Sequence, residues 1–147
     1  MSNLIPVEIE IEARKNIIKS LEEAGFIDGA TLSEEELKEE KDPIFWEDIL
    51  DNDIAKYKPY YLVFTIGVGT TTYSDDKPLS TTLNISLDLF TTKDIASRDV
   101  YDTRLKLEKA LANSNKYDSL RILAKFYDNE LNLNQISYTL KETFYRE

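Results

Sequence analysis

The chain has 147 residues, no cysteine, no histidine and a formal net charge of −10. The two absences exclude disulfides, thiolate nucleophiles, Cys/His zinc sites and every catalytic triad or dyad that needs imidazole or thiol. The charge argues against nucleic-acid binding: a duplex binder needs a cationic stripe, and these 18 Lys and Arg are scattered, nowhere denser than Arg14-Lys15 or Lys56/Lys58.

Met1-Ser2-Asn3-Leu4-Ile5-Pro6 has neither the basic flank nor the apolar core of a secretion signal, so the expected setting is intracellular. From about Pro6 to Ala24 a helix is predicted, because Ile17, Ile18 and Leu21 share one helical face that Ala13 and Ala24 extend. Gly25 stands at the C′ position, where a left-handed residue ends helices, and Phe26 and Ile27 can fold back on the last turn.

Residues 28–58 turn acidic. Ser33-Glu34-Glu35-Glu36 reads as a capping box opening a short helix to about Glu40. Asp42-Pro43 reads as N-cap and N1 of another, holding Ile44, Phe45, Trp46, Ile49 and Leu50. The plain reading is an inserted helical flap with a solvated acidic face. A sharper one is a partner-binding arm led by Phe45 and Trp46, since aromatics anchor interfaces. Trp46, four residues before Leu50, fits the core equally well.

After Pro59 the character changes to β. Tyr60 to Thr72 is β-branched and aromatic, and its longest apolar run, around Tyr60 to Val68, is strand-sized and far short of the roughly 20 residues a membrane span needs. Gly67 and Gly69 mark a bulge or a close backbone approach, not a phosphate loop, because no Gly-Lys-Ser/Thr follows. Asp75-Asp76-Lys77-Pro78 is a turn. Leu83, Ile85, Leu87 and Leu89 then alternate strictly with Asn84, Ser86, Asp88 and Phe90, so one face is core and the other meets solvent or a neighbouring subunit.

Ser97 or Asp99 caps a helix from about Val100 to Ala112, with Val100, Leu107 and Leu111 as its buried stripe and Arg104 and Lys106 outside it. Leu120 to Tyr127 reads as a strand or a short helix. Asp128-Asn129-Glu130 offers a turn, and Ile136, Tyr138, Leu140 and Phe144 alternate with polar residues as a last half-buried strand. The whole implies one α+β domain over residues 1–147: an antiparallel sheet with two main helices packed on one face, plus the acidic helical insertion.

Few groups carry chemistry. Asp75-Asp76 is a carboxylate pair, but hard cations need further oxygen ligands at set spacing, and a solvated turn or an interface contact explains it better. A carboxylate-dependent metal enzyme is therefore the weakest reading, and no cofactor, catalytic or metal residue is expected. The nine tyrosines, among them Tyr73 and Tyr145, suit subunit contacts or ordinary sheet packing.

Tyr73-Ser74-Asp75-Asp76-Lys77-Pro78-Leu79-Ser80, leading into Leu83 to Lys93, resembles the small tail-terminator and tail-completion (head–tail joining) proteins of long-tailed bacteriophages. Leu21 to Phe26, Tyr73 to Lys77 and Leu89 to Lys93 stand where that family has its Leu–Gly helix phrase, its aromatic-x-Asp-Asp/Asn-Lys turn and its Tyr/Phe-Thr-x-Lys strand end. The resemblance covers residues 10–27 and 58–145, and the acidic segment is the main departure. It implies a homo-oligomeric ring, often of six subunits, in the neck or tail of a virion. Such a ring contacts the tail tube and head connector, has no cofactor, and lets DNA pass without specific binding. Subunit or partner contacts are expected at Asp75, Asp76, Lys77, Phe45 and Trp46. The alternative is an acidic intracellular adaptor or inhibitor that meets a basic protein through Glu34 to Asp53.

Overall fold

The computed structural model describes residues 6–39, 42–46, 60–74, 77–94, 96–114, 117, 119–128 and 133–145. Helix α1 spans Pro6–Glu23 and buries Ile9, Ala13, Ile17 and Leu21, one residue per turn along a single stripe. Its end is a Schellman motif. Gly25 sits at φ 100°, its N–H donates to the Glu22 carbonyl at 2.9 Å, and the Phe26 N–H donates to the Leu21 carbonyl at 3.0 Å. Phe26 then turns into the core, with the Lys106 ammonium 4.3 Å from its ring centre.

Two short strands follow, β1 (Ile27–Asp28) and β2 (Pro43–Trp46), joined through two single-turn 3-10 helices. The capping box forms as predicted. Ser33 N–H donates to Glu36 Oε2 at 3.0 Å, and Glu36 N–H donates to Ser33 Oγ at 3.3 Å, but it opens only the 3-10 turn Glu36–Lys38. Pro43–Trp46 corrects the sequence reading: it is a strand, not the start of a helix. Ile44, Phe45 and Trp46 are bulky residues suited to a pleated surface, and pairing with Leu62, Val63 and Phe64 outweighs the Asp-Pro helix signal. Residues 47–50 of that predicted helix lie outside the described residues.

Strands β3 (Tyr60–Ser74) and β4 (Lys77–Thr91) make a long hairpin. Helix α2 (Arg98–Asn113) is capped by Ser97 Oγ, which accepts from the Val100 N–H at 3.3 Å. Strands β5 (Ser119–Asp128) and β6 (Leu133–Tyr145) finish the sheet, and β5 resolves the open choice for Leu120 to Tyr127 in favour of strand. The order is β1-β2-β3-β4-β6-β5. The four long strands pair antiparallel, as expected, whereas β1–β2 and β2–β3 are parallel, so the sheet is mixed. The fold is α+β.

Both helices lie on one face. Leu62 and Phe64 of β3, Leu83 to Leu89 at alternate positions of β4, and Ile136, Tyr138 and Leu140 of β6 form one core with the buried stripes of α1 and α2. Trp46 joins its margin, edge-on to Phe64 at 4.7 Å and beneath the Arg14 guanidinium. The opposite face carries a second, smaller core of Phe45, Tyr61, Val63, Phe90 and Leu133, covered by Leu37 and Leu32 from the segment between β1 and β2. Gly29 permits that cover: a Cβ there would meet Pro43 Cβ at 2.7 Å.

Candidate functional site

The hairpin outruns its core. The helix-covered rows stop near Ile66 and Leu83, while β3 continues to Ser74 and β4 begins at Lys77. Beyond Gly67 the register shifts twice, first between Gly67 and Thr70 and again between Thr72 and Tyr73, irregularities of the kind that add local twist to a ladder. It is held by hydroxyls: Thr71 pairs with Thr81 at 3.1 Å, and Thr82 of β4 pairs with Thr143 of β6 at 2.9 Å. Strand β6 accompanies the arm as far as the Ser80–Tyr145 row, and Lys77 faces Ser74 at the last paired row.

Strand β2 pairs with β3 at Leu62 to Phe64, short of this arm. The aromatic rings of Tyr73 and Tyr145, 64% and 69% exposed, stand at this same end of the sheet. The sheet face opposite the helices is split. Its proximal rows are closed by the chain's own Leu32 and Leu37, and its distal rows present exposed Thr65, Asn84, Ser86 and Lys141. The proximal half of that face is therefore closed by the chain itself, and the exposed residues lie in its distal half.

The residues singled out from the sequence fall in different places. Phe45 is 2% exposed and 5.8 Å from the Tyr61 ring, so it is core, as is most of Trp46. Asp75 and Asp76 lie outside the described residues, and Lys77 enters only through its backbone position. Two buried charged groups were missed. Arg104, expected outside the α2 stripe, is 8% exposed, 3.7 Å from Glu108 and beside the Tyr101 ring. Its spacing from Val100, Leu107 and Leu111 had the signal, and its long stem lets it occupy a buried stripe. Burial pushes the Tyr138 phenol, which sits against Arg104, up to about 12. Glu142, 4% exposed, continues the inward alternation of Ile136, Tyr138 and Leu140 and accepts from Asn16 Nδ2 at 2.7 Å.

A cleft of about 390 Å³ between the C-terminal halves of the two helices is lined by Ser20, Glu23, Lys106 and Lys109 among others, a surface of mixed charge. Among the described residues, no three acidic side chains cluster in a way that could hold a metal ion, and no helix is long and apolar enough to cross a membrane. No family model matches the chain, and no curated protein matches it.

Proposed function

We propose that this chain is a structural subunit of a long-tailed bacteriophage neck or tail, assembling with copies of itself into a ring that terminates the tail tube and joins it to the head connector. The observation that carries the reading is the distal β-arm, a long hairpin that runs on past the helix-covered core and carries the exposed Tyr73 at the same end of the sheet as the exposed Tyr145. Exposed amphipathic tyrosines in such a place suit a contact with another chain. The sequence resemblance at Tyr73 to Lys77 and Leu89 to Lys93 supports the same role from a separate direction. The negative charge suits a channel wall past which DNA slides without sticking.

The test is assembly. Sedimentation and negative-stain electron microscopy of the purified protein are expected to give a closed ring, and incubation with tail tubes is expected to place it at the tube end. A chain that stays monomeric at all concentrations and touches neither tube nor connector overturns the proposal.

A further inference from the structure

We infer that the cleft between the C-terminal halves of α1 and α2 is a cationic socket that receives the acidic turn, Glu34 to Glu39, of a second copy of this chain. The inference rests on the ring reading above and names the two surfaces that would join neighbouring subunits.

Three observations lead there. The first is charge that only the fold brings together. Lys106 and Lys109 of α2 line the cleft, and Lys19 of α1 stands on the same turn as the lining residues Ser20 and Glu23. These exposed lysines face Glu22 and Glu23 on α1, which leaves the rim cationic in a chain of net charge −10. None of Lys19, Lys106, Lys109 and Glu23 has an ion-pair partner among the described residues. The second is room. The cleft holds about 390 Å³, and Ala24 and Ala110 in its lining are too small to fill it. The third is a complement of fixed shape. Glu34, Glu35, Glu36 and Glu39 are exposed around a single base, Lys38. The Ser33–Glu36 capping box shapes that turn, and the buried Leu37 pins it to the second core. A turn already held in one shape loses little freedom on docking.

The choice of a second copy follows from charge and from where the two surfaces lie. Copies of a chain this acidic repel one another overall, so association needs a place where opposite charges meet. The cleft belongs to the helix layer, and the acidic turn covers the opposite face of the sheet, so the sheet keeps a subunit's turn from its own cleft. The contact therefore joins different faces of two copies. Each subunit gives its turn to one neighbour and its cleft to the other, the head-to-tail arrangement that continues until a ring closes.

Exchanging the charges tests it. One full-length variant carries Lys19→Glu and Lys109→Glu, which spares the Lys106 contact with Phe26. The other carries Glu35→Lys and Glu39→Lys, which spares the capping box. Each reversal shifts the charge by two, so the net −10 becomes −14 in the first and −6 in the second. Light scattering at low salt is expected to report a ring-sized particle for the unmodified protein and single subunits for either variant alone. An equimolar mixture of the two is expected to regain the large particle, because acidic clefts then meet basic turns and basic clefts meet acidic ones. The second variant is less charged than the unmodified protein, so its failure to assemble cannot come from overall repulsion. Unchanged urea midpoints show that both variants fold. A ring-sized particle from either variant alone overturns the inference and leaves the ring reading intact, and so does a mixture that stays unassembled. An unmodified protein that is monomeric at every concentration overturns both.

Discussion

Asn16 and Glu142, 126 positions apart in the chain, meet at 2.7 Å beneath helix α1, where the Asn16 side-chain amide donates to a carboxylate oxygen of Glu142. The contact ties the first helix to the end of the last strand, in the row where Glu142 faces Leu83. A buried carboxylate that loses such a donor keeps its desolvation cost and loses the compensation, a penalty of about 1–3 kcal/mol. Asn16→Ala is expected to lower stability by that amount in urea unfolding. Asn16→Ala combined with Glu142→Leu is expected to recover part of the loss, because the buried carboxylate and its desolvation cost are then gone.

Gly29 and Gly25 are predicted to resist substitution for different reasons. At Gly29 the obstacle is packing, since an added Cβ meets Pro43 Cβ at 2.7 Å and the Phe45 ring at 3.0 Å. Gly29→Ala is expected to cost about 1–3 kcal/mol by overpacking and to be relieved in part by Phe45→Leu. At Gly25 the obstacle is the φ of 100°, because only the flexible Lys106 side chain lies near. Gly25→Ala is expected to cost about 1–2 kcal/mol, with no relief from Phe45→Leu. Urea midpoints of the three single and two double variants decide it.

Alkaline pH should destabilise the fold through Tyr138. Burial holds its phenol neutral up to about 12, against an ordinary value of 10.0. Below 10 both folded and unfolded chains keep the proton, and stability is at its full value. Between 10 and about 12 the unfolded chain releases it while the folded one does not, so stability falls with rising pH, at most about 1.4 kcal/mol per pH unit for one group. Tyr117, half-buried and likewise raised by desolvation, adds to the same trend. Tyr138→Phe is expected to flatten the fall in a thermal-melt series from pH 9 to 12. An unchanged slope would remove Tyr138 as the source.

Leu37 is expected to matter more than its place in an acidic, otherwise exposed turn suggests. It caps the second core over Phe45, Tyr61 and Phe90. Leu37→Ala is expected to cost about 2–5 kcal/mol, as buried leucine truncations do. Replacing the exposed Glu34 and Glu35 nearby by Gln is expected to stay within about 0.5 kcal/mol. Deleting the whole segment from Glu34 to Asp53 would remove β2 as well, so charge replacement is the cleaner way to ask whether the acidic turn recruits a basic partner.

Helix α1 and its stop at Gly25, the capped helix after Ser97, and the Leu83 to Leu89 alternation were all legible because each is a local rule. A stripe every third or fourth residue, a left-handed glycine and a two-residue period need no knowledge of distant chain. The β6 alternation of Ile136, Tyr138 and Leu140 runs on to Glu142, a position the sequence reading passed over, and the α2 stripe runs through Arg104. Arg104 was misjudged because a charged residue type was weighed above its place in the period. The candidate site was legible only in part. The uncharged character of Tyr60 to Ser74 stood in the sequence, but the reach of β4 back to Lys77 and the arrival of Tyr145 at the same end of the sheet as Tyr73 did not.

Composition alone excluded imidazole and thiol chemistry, and periodicity alone placed most of the apolar residues on the correct side of their elements. Folding in three dimensions decided the rest. Pro43 to Trp46 became a strand because Leu62 to Phe64 were there to pair with it, and Phe45 became core because Leu37 and Leu32 came back over it. A short segment holds too few local bonds to choose its own conformation, so partners far along the chain, through the surface they bury and the ladder they complete, make the choice.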